Sequence, residues 1–338
     1  MRGPLIRLVC LLSLLIASSA SAVTMNWTFV GNAGNLADPD PSTASCGLTF
    51  FEPCGAVSYA YSIGTYEVTN AQYAEFLNAK ATVADPFGLY NTNMANPSPY
   101  YQGGAHGGIT RSGLPGSYAY TAISGRENMP VNNVSFYDAL RFANWMNNGQ
   151  GIGDTETGAY TLLGGTPTPS NGGTITRNPS ATIAVTSESE WYKSAYYSAA
   201  STSYFDYPAG SNTQTGCWRP SVSDTTNSAN CDRAVNDLTI RGSYIGSPSP
   251  YGTFDQGGNV WEWNETLEVT SNGPYRQLRG GDFYYDAYNF YAGSRTWGLE
   301  SDESNNSGFR LAMIPEPSTA LLVIVGLLGL AGRRRVSA

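Results

Sequence analysis

The chain has 338 residues, of which only 13% are charged, and it contains 38 glycines and 23 tyrosines. This composition disfavours a helical bundle and favours a loop-rich fold with an aromatic core. The formal net charge of −8 makes nucleic acid a poor partner, because its phosphates are neutralised by lysine and arginine.

The first segment, residues 1–22, has the pattern of a secretory signal peptide. Arg2 and Arg7 precede an apolar run over 8–17, and Ala20-Ser-Ala22 follows it. Basic, apolar and small-residue regions in this order predict export, with cleavage after Ala22. A membrane anchor is the alternative, but the apolar run is too short to span a bilayer.

Four cysteines remain beyond the signal segment, in two close pairs. An even number in an oxidising compartment favours disulfides. Of the three possible connectivities we predict Cys46–Cys54 and Cys217–Cys231, since each closes a short loop. Zinc binding is the alternative, but it needs closer cysteine pairs or histidines. The single histidine, His106, also makes Ser/His/Asp catalysis an unlikely mechanism.

Three helices are predicted along the chain, each opening with a capping box. In this motif an N-cap Ser or Thr is followed three residues later by a side chain that bonds back to it. The boxes are Thr69 with Gln72, Ser135 with Asp138, and Ser187 with Glu190. The first helix follows a predicted strand over 63–68, and Asn147-Asn-Gly149 ends the second.

Stretches rich in Gly, Pro, Asn and Ser connect these helices. Residues 84–128 have no regular period and are predicted to be ordered loop, 148–182 favours one or two hairpins, and 198–250 is loop-like. Closing strands are predicted at 277–281 and 308–313. Because no long linker or repeat divides residues 23–314, we predict one domain.

The stretch Asp255-Gln-Gly-Gly-Asn-Val-Trp-Glu-Trp263 carries the clearest chemical pattern. Its glycines allow a tight turn, and its tryptophans alternate with Glu262 as side chains do on a strand. The carboxylates of Asp255 and Glu262, with nearby carbonyls, are hard oxygen ligands of the kind that Ca²⁺ prefers. The alternative is a buried tryptophan hairpin in which Glu262 caps backbone amides.

The last segment, residues 315–338, combines Pro315-Glu316-Pro317, an apolar run over 319–332 and three arginines. It resembles the PEP-CTERM sorting signal of Gram-negative bacteria. The resemblance implies recognition by an exosortase-type transpeptidase and release to the cell surface or an exopolysaccharide matrix. The run is barely long enough to span a bilayer, so membrane contact is expected only through this transient segment. A permanent anchor is the alternative.

Motifs spread over nearly the whole predicted domain resemble the formylglycine-generating enzyme (sulfatase-modifying factor) family. They are Ile63-Gly-Thr-Tyr-Glu-Val-Thr-Asn-Ala-Gln-Tyr-Ala-Glu-Phe-Leu77, Pro130-Val-Asn-Asn-Val-Ser-Phe-Tyr-Asp-Ala139, Thr186-Ser-Glu-Ser-Glu-Trp191, Gly257-Gly-Asn-Val-Trp-Glu-Trp263, Leu278-Arg-Gly-Gly281, Ser294-Arg295 and Ser307-Gly-Phe-Arg310. The resemblance implies a single loop-rich α+β domain with few short helices and antiparallel strands, related to the C-type lectin-like fold.

The resemblance also implies structural calcium. The first site would use the side chains of Asp255 and Glu262 and the carbonyls of Gly258 and Val260. Candidates for a second site are Asn230, Cys231, Asp237 and Thr239, although their spacing is shorter than the family's. Bound calcium would stabilise long loops that bury little apolar surface.

Copper is not expected, although the family's oxidases hold a copper ion with two cysteines and convert a sulfatase cysteine to formylglycine. In this chain Tyr285 and Phe290 stand at those two positions. Neither side chain replaces a thiolate on Cu(I). The family's oxidase mechanism is therefore not expected, and an oxidase or related protein-modifying enzyme with an altered mechanism is the alternative.

A binding cleft is predicted where the copper cysteines are missing, from Asp282, Tyr285, Tyr288, Phe290 and Arg295. Tyrosines offer flat apolar faces with polar tips, which suit sugars or peptide side chains. Ordinary packing is the alternative for these aromatics. We therefore predict an exported, non-catalytic surface or matrix protein that binds a glycan or a protein, with a purely structural matrix component as a third possibility.

Overall fold

A computed structural model of the protein describes residues 22–40, 53–99, 104–221, 226–271 and 273–315. Residues 1–21, Cys46, Glu316, Pro317 and the predicted apolar run over 319–332 lie outside these ranges. No helix within the described ranges is long and apolar enough to cross a membrane.

Three α-helices begin at the predicted capping boxes: α1 (Asn70–Lys80), α2 (Phe136–Asn147) and α3 (Glu188–Tyr196). In each, the N-cap hydroxyl accepts the N–H of the third helical residue, whose side chain accepts the N-cap N–H in return. This satisfies two of the amide groups that a helix leaves open at its start. The helix starts, and the end of α2 at Asn147, are confirmed.

The described chain also forms fourteen short strands. In chain order they are β1 (Trp27–Val30), β2 (Tyr61–Gly64), β3 (Ile109–Ser112), β4 (Ala119–Ala122), β5 (Ile183–Val185), β6 (Tyr197–Ser198), β7 (Ser203–Tyr204), β8 (Gly216–Cys217), β9 (Ser228–Ala229), β10 (Trp261–Thr270), β11 (Gly273–Arg279), β12 (Thr296–Leu299), β13 (Ser307–Phe309) and β14 (Leu311–Met313). Short 3₁₀ helices cover Thr92–Ala95 and Ala287–Phe290. The predicted α+β class, with few helices and mostly antiparallel strands, is confirmed.

Two four-stranded sheets bring distant parts of the chain together. In the first, ordered β1-β2-β14-β5, the closing strand β14 places Ala312 opposite both Ile63 and Ala184. In the second, ordered β12-β11-β10-β13, only the β10–β13 pair is parallel. Glu262 on β10 therefore lies between Arg279 of β11 and Gly308 of β13, and the predicted closing strands are confirmed.

The main core is aromatic, as the composition predicts, and it joins α1, α2 and β10. Tyr73 of α1 stacks on Phe142 of α2 with ring centroids 5.9 Å apart. Phe136 of α2 meets Trp263 of β10 edge to face at 6.2 Å. Such pairs contribute beyond the apolar area that they bury, so the helices are locked against the strand that carries the central motif.

Buried arginines connect the loops to this core. The four that are fully buried are Arg141, Arg276, Arg279 and Arg310, and each pairs with a glutamate. Each also donates to loop carbonyls: Arg279, for example, bonds to the carbonyls of Ala292 and Ser294 at 2.5 and 2.6 Å. A planar guanidinium offers five N–H groups, so one side chain satisfies several loop carbonyls that no sheet ladder reaches.

Three loop predictions are wrong, and one of them is 198–250, which contains the two-residue strands β7, β8 and β9. Residues 148–182 form no strand. Hydrogen bonds from a side chain hold the backbone of this loop instead: Asn144 donates to the carbonyls of Thr155 and Tyr160 and accepts the N–H of Tyr160. Conversely, 84–128 contains the β3–β4 hairpin and a 3₁₀ turn rather than loop alone. Gly, Pro and Thr clusters mark turns, but they do not say whether a strand follows.

The predicted Cys217–Cys231 disulfide is present, with an S–S distance of 2.01 Å. Cys54 is also disulfide-bonded, while Cys46, its predicted partner, lies outside the described residues. The disulfide links β8 to the residues just after β9, and Cys231 is fully buried in a cluster with Phe290 of the segment after β11.

Removing this disulfide should lower the stability of the domain. The bond joins residues 14 apart, and a loop of that length corresponds to about 3 kcal/mol. We expect Cys217→Ala/Cys231→Ala to lower the free energy of unfolding in urea by roughly this amount. The matched control is Thr213→Ala/Gln214→Ala, two exposed positions on the same loop, which should change it little. An unchanged urea midpoint in the cysteine variant would contradict the expectation.

Candidate functional site

The central loop reaches β10 through left-handed backbone. Asp255, Gly258 and Asn259 have φ of 59°, 84° and 64°. A Cβ on Gly258 would lie 2.3 Å from the carbonyl oxygen of Asn230, so only glycine fits there. The two tight turns aim Glu262 into the protein, and its side chain is fully buried.

Glu262 is held by a guanidinium and an indole. Arg310 donates from Nε to Oε2 and from Nη2 to Oε1, both at 2.5 Å, and Trp191 Nε1 donates to Oε2 at 2.7 Å. Arg310 also donates to the carbonyls of Gly64 at 3.0 Å and Phe254 at 3.1 Å. Arg310 is therefore a core ion-pair residue.

Two further carboxylates, those of Glu67 and Asp255, also interact electrostatically with Arg310. Glu67 is buried; its Oε1 accepts from Asn259 at 3.3 Å, and its Oε2 has no hydrogen-bond partner among the described residues. Burial, and then the neighbouring charge of Asp255, raise the pKa of Glu67 well above its usual range. Burial raises the pKa of Asp255 to about 6. Three carboxylates thus surround one guanidinium, that of Arg310.

Asp255 lies beside a small polar cavity. Its Oδ2 accepts the N–H of Gly242 at 2.5 Å. The cavity of about 20 Å³ is also lined by Thr215, Ser228 and Ser249, and this volume holds about one water-sized species. Of the two predicted acidic ligands, Asp255 is therefore the one whose carboxylate is not already paired with arginine.

In the first predicted calcium set, both oxygens of Glu262 are already bonded to Arg310. Glu262 is therefore not the ligand that the resemblance implies, and Asp255 is the acidic side chain of the set that could bind a cation. Glu262, Glu67 and Asp255 all interact with the single guanidinium of Arg310, and the buried Oε2 of Glu67 has no hydrogen-bond partner among the described residues. Burying this surplus negative charge is costly unless a cation or a proton neutralises it. Within the described ranges no three acidic, thiol or imidazole side chains converge on one metal position. An ion here would therefore depend on carbonyl ligands, such as those predicted from Gly258 and Val260, with Asp255.

The second predicted set does not form a site. Cys231 is in the disulfide, and Thr239 donates its N–H to Asn259 at 2.9 Å. Arg126 clamps Asp237 with two bonds of 2.7 and 2.9 Å. Asn230 has an unpartnered buried Oδ1 among the described residues, but one amide oxygen does not hold a cation. We therefore assign no metal to Asp237.

The only histidine contacts Asp237 from the other side. Its Nδ1 lies 3.0 Å from Asp237 Oδ1, and its Nε2 lies 2.7 Å from the hydroxyl of Tyr284. Although burial raises it, hydrogen bonds from Arg126 and then His106 lower the pKa of Asp237 to about 2. The sequence analysis missed this cluster, because His106 and Tyr284 are 178 residues apart.

A cleft of about 320 Å³ opens beside the second sheet. Apart from Leu278, its lining side chains are aromatic or polar: Trp261, Trp263, Tyr285, Asn289, Arg295, Thr296, Trp297, Asp302, Ser304, Asn306 and Ser307. Tyr285 is 55% exposed, so one aromatic face is open to solvent. The remaining wall mixes amides, hydroxyls, a carboxylate and a guanidinium, which suits a polar ligand with hydroxyl groups.

Of the five predicted cleft residues, two line the cleft, one is exposed beside it and two are buried. Tyr285 and Arg295 line the cleft, and Tyr288 is exposed on the 3₁₀ helix that carries the lining residue Asn289. Asp282 is buried, and its Oδ1 accepts the N–H groups of Tyr284 and Tyr285, so it shapes the loop.

Phe290 is a wrong prediction for the cleft. Its ring is fully buried in a cluster with Cys231 and Tyr207. A Cβ on Gly281 would lie 2.6 Å from this ring, so the glycine pair that precedes the loop allows the ring to pack inward. Residue types alone do not show which side chains of a short 3₁₀ helix face the core and which face solvent.

Comparison with known proteins agrees with this architecture. Residues 53–314 match the family model described as the sulfatase-modifying factor enzyme 1-like domain. The formylglycine-generating enzyme of Streptomyces coelicolor (strain ATCC BAA-471 / A3(2) / M145) is 25% identical over 283 residues, which cover 75% of this chain and 77% of that protein.

Two solved structures share the fold. The crystal structure of CarF has a TM-score of 0.55 at 18% identity, over 87% of this chain and 99% of that chain. Treponema denticola variable protein 1 has a TM-score of 0.54 at 18% identity, over 88% and 98%. At this identity they show the fold alone. With the family model covering most of the chain, this protein belongs to the sulfatase-modifying factor (formylglycine-generating enzyme) family.

Proposed function

We propose that this protein is an exported, calcium-stabilised domain that binds a glycan or a protein at the cell surface or in an extracellular matrix. The observation that carries the proposal is the cleft in which Tyr285 stands at the position of the family's first copper cysteine. The second position is Phe290, buried in the core. A phenol and a phenyl ring supply no soft ligand for Cu(I).

No other thiol takes over this role in the described part of the chain. Its three cysteines, Cys54, Cys217 and Cys231, are disulfide-bonded. A disulfide sulfur is not a thiolate, and the thiolate is the copper ligand and the reactive form. Within the described residues, the family's copper-dependent oxidation therefore has no thiolate ligand set, which supports a binding role for the cleft.

The shape and chemistry of the cleft support a small polar ligand. Its volume of about 320 Å³ lies near the lower end of the roughly 300–1,000 Å³ typical of small-molecule sites. Tyr285 and Trp297 offer aromatic surfaces, and Asn289, Arg295 and Asp302 offer donors and acceptors. A sugar uses both, since its faces stack on rings and its hydroxyls bond to planar polar groups.

The ends of the chain support the proposed location. The pattern of residues 1–22 supports export, and 315–338 supports sorting by an exosortase-type enzyme through Pro315-Glu316-Pro317. Membrane contact is then limited to the segment about 319–332 before processing. Both assignments rest on sequence pattern.

Ligand binding is tested by retention on purified exopolysaccharide. We expect the protein to be retained, and Tyr285→Ala and Trp297→Ala to weaken binding about tenfold each, or roughly 1.4 kcal/mol. Trp218→Ala is the matched control, because Trp218 is 66% exposed but is not part of the cleft wall.

Two outcomes would overturn the proposal. One is a lack of retention of the intact protein on every cell-envelope fraction. The other is oxygen uptake with a cysteine-containing peptide and added Cu(I), which would restore the oxidase alternative despite Tyr285 and Phe290.

A further inference from the structure

A hydroxyl, an imidazole and a carboxylate are aligned in the loops beside the second sheet. Tyr284 Oη lies 2.7 Å from His106 Nε2, and His106 Nδ1 lies 3.0 Å from Asp237 Oδ1. The imidazole is fully buried, whereas Tyr284 is partly exposed. This order of groups is the one that activates a hydroxyl nucleophile in unrelated hydrolases.

The protonation of the three groups follows from their partners. Arg126 donates to both oxygens of Asp237 and keeps it ionised. An ionised carboxylate beside Nδ1 requires the proton there, so Nε2 has the free lone pair. Tyr284 therefore donates its O–H to His106. Because burial raises the pKa of Tyr284, the phenol is neutral at rest and needs this base to react.

Two further groups favour the ionised phenol during reaction. The guanidinium of Arg233 lies over the Tyr284 ring, 5.9 Å from its centroid, where its charge attracts a developing phenolate. Asn305 Nδ2 lies 3.3 Å from Tyr284 Oη, so an amide donor is present at the reacting oxygen.

The backbone around this cluster is strained. His106, Asp232, Arg233 and Asn236 have φ of 50°, 46°, 56° and 63°, a region that non-glycine residues seldom adopt. Asp232 and Arg233 donate their N–H groups to the carbonyls on either side of Tyr284, at 2.7 and 2.8 Å. Strain of this kind concentrates at functional sites, where the surrounding structure holds it.

We propose that Tyr284 is a nucleophile that accepts an acyl group from an activated carboxylic ester. Its Oη attacks the carbonyl carbon while its proton passes to His106 Nε2. The ester C–O bond then breaks, and the leaving alcohol takes that proton. Water, deprotonated by the same nitrogen, hydrolyses the tyrosyl ester and restores the phenol. Asp237 acts as a positioning residue for the imidazole. This activity does not depend on ligand binding in the cleft, whose wall does not include Tyr284.

The probe is 4-nitrophenyl acetate, added to the purified full chain at neutral pH. We expect a burst of 4-nitrophenolate of one equivalent per chain, with a single acetyl group located on Tyr284 by peptide mass spectrometry. Tyr284→Phe keeps the ring and should abolish the burst. His106→Asn, which tolerates the left-handed backbone, should slow it about 10²-fold, the lower end of general-base contributions.

The matched control is Tyr275→Phe, since this tyrosine on β11 is also partly exposed and should leave the burst unchanged. Thermal unfolding of each variant separates loss of reactivity from loss of fold. Asp237→Asn should shift the pH dependence of the burst rate, which a merely structural role would not do. Acetyl groups spread equally over Tyr284, Tyr285 and Tyr288, or an unchanged rate in Tyr284→Phe, would overturn the proposal.

Discussion

We expect Arg310→Met to lower the free energy of unfolding by about 3–5 kcal/mol, the cost of breaking a buried ion pair from one side. Among the described residues, the substitution leaves Trp191 as the one side-chain donor to Glu262. It also leaves the raised-pKa carboxylates of Glu67 and Asp255 without their one nearby guanidinium.

Arg310 also connects two distant segments. Its Nη1 and Nη2 donate to the carbonyls of Gly64 on β2 and Phe254 before the central loop. Methionine makes neither bond, so two buried carbonyls lose a partner, and this adds to the effect. The loss of unfolding free energy in Arg310→Met should therefore be larger than in a variant of any exposed arginine.

Urea unfolding of Arg310→Met, Glu262→Leu and the double variant measures this effect. We expect the double variant to be more stable than Arg310→Met, because no buried charge is left uncompensated. The matched control is Arg241→Met. The guanidinium of Arg241 lies over the Tyr66 ring, 5.0 Å from its centroid, and its removal should lower the free energy of unfolding by about 0.5–1 kcal/mol. If Arg310→Met unfolds like this control, the central ion pair does not stabilise the fold.

Calcium removal should also have a large effect. We expect EDTA to lower the melting temperature and added Ca²⁺ to restore it, since an ion present at about 1,000 times its Kd stabilises by about 4 kcal/mol. Asp255→Gly should remove the response, because glycine adopts the φ of 59° found there without offering a ligand. Asp255→Asn keeps a side-chain oxygen and should retain part of it.

The calcium effect should depend on pH with a defined sign. The pKa of Asp255 is raised to about 6 in the folded protein, above the value of about 3.9 for an unfolded chain. Without metal, the folded state binds more protons than the unfolded state between these values, so stability rises as the pH falls from about 7 to 4. A bound cation requires the ionised form, so the EDTA effect should shrink over the same interval.

Metal analysis of the purified protein completes this test, with Glu75→Gln on α1 as the matched control that should keep both calcium and the EDTA response. No bound calcium and no EDTA response at neutral pH would mean that the surplus carboxylates are protonated instead. The calcium assignment would then be dropped, and the Arg310 prediction would stand unchanged.

Sequence patterns predicted the structure correctly where the interacting residues are close together in the chain. Each capping box joins residues three apart, so Thr69, Ser135 and Ser187 could be identified as helix starts before any packing was known. The glycine turn before β10 was also predicted, because it depends on the φ of Gly258 alone. The Cys217–Cys231 disulfide was predicted because it closes a loop of only 14 residues. The family motifs placed the closing strands for the same reason, since each is a short contiguous segment.

The chemistry of the site was decided by contacts between distant segments. Arg310 reaches Gly64 across 246 residues, and His106 meets Asp237 across 131. Phe290 turned into the core because Gly281 leaves room for its ring. Sequence alone determined the helix starts and the family motifs, and the export and sorting assignments stay predictions. Only the tertiary structure decided which carboxylate is paired, which aromatic is exposed and which hydroxyl faces the histidine, because side-chain partners in a loop-rich fold are set by long-range packing.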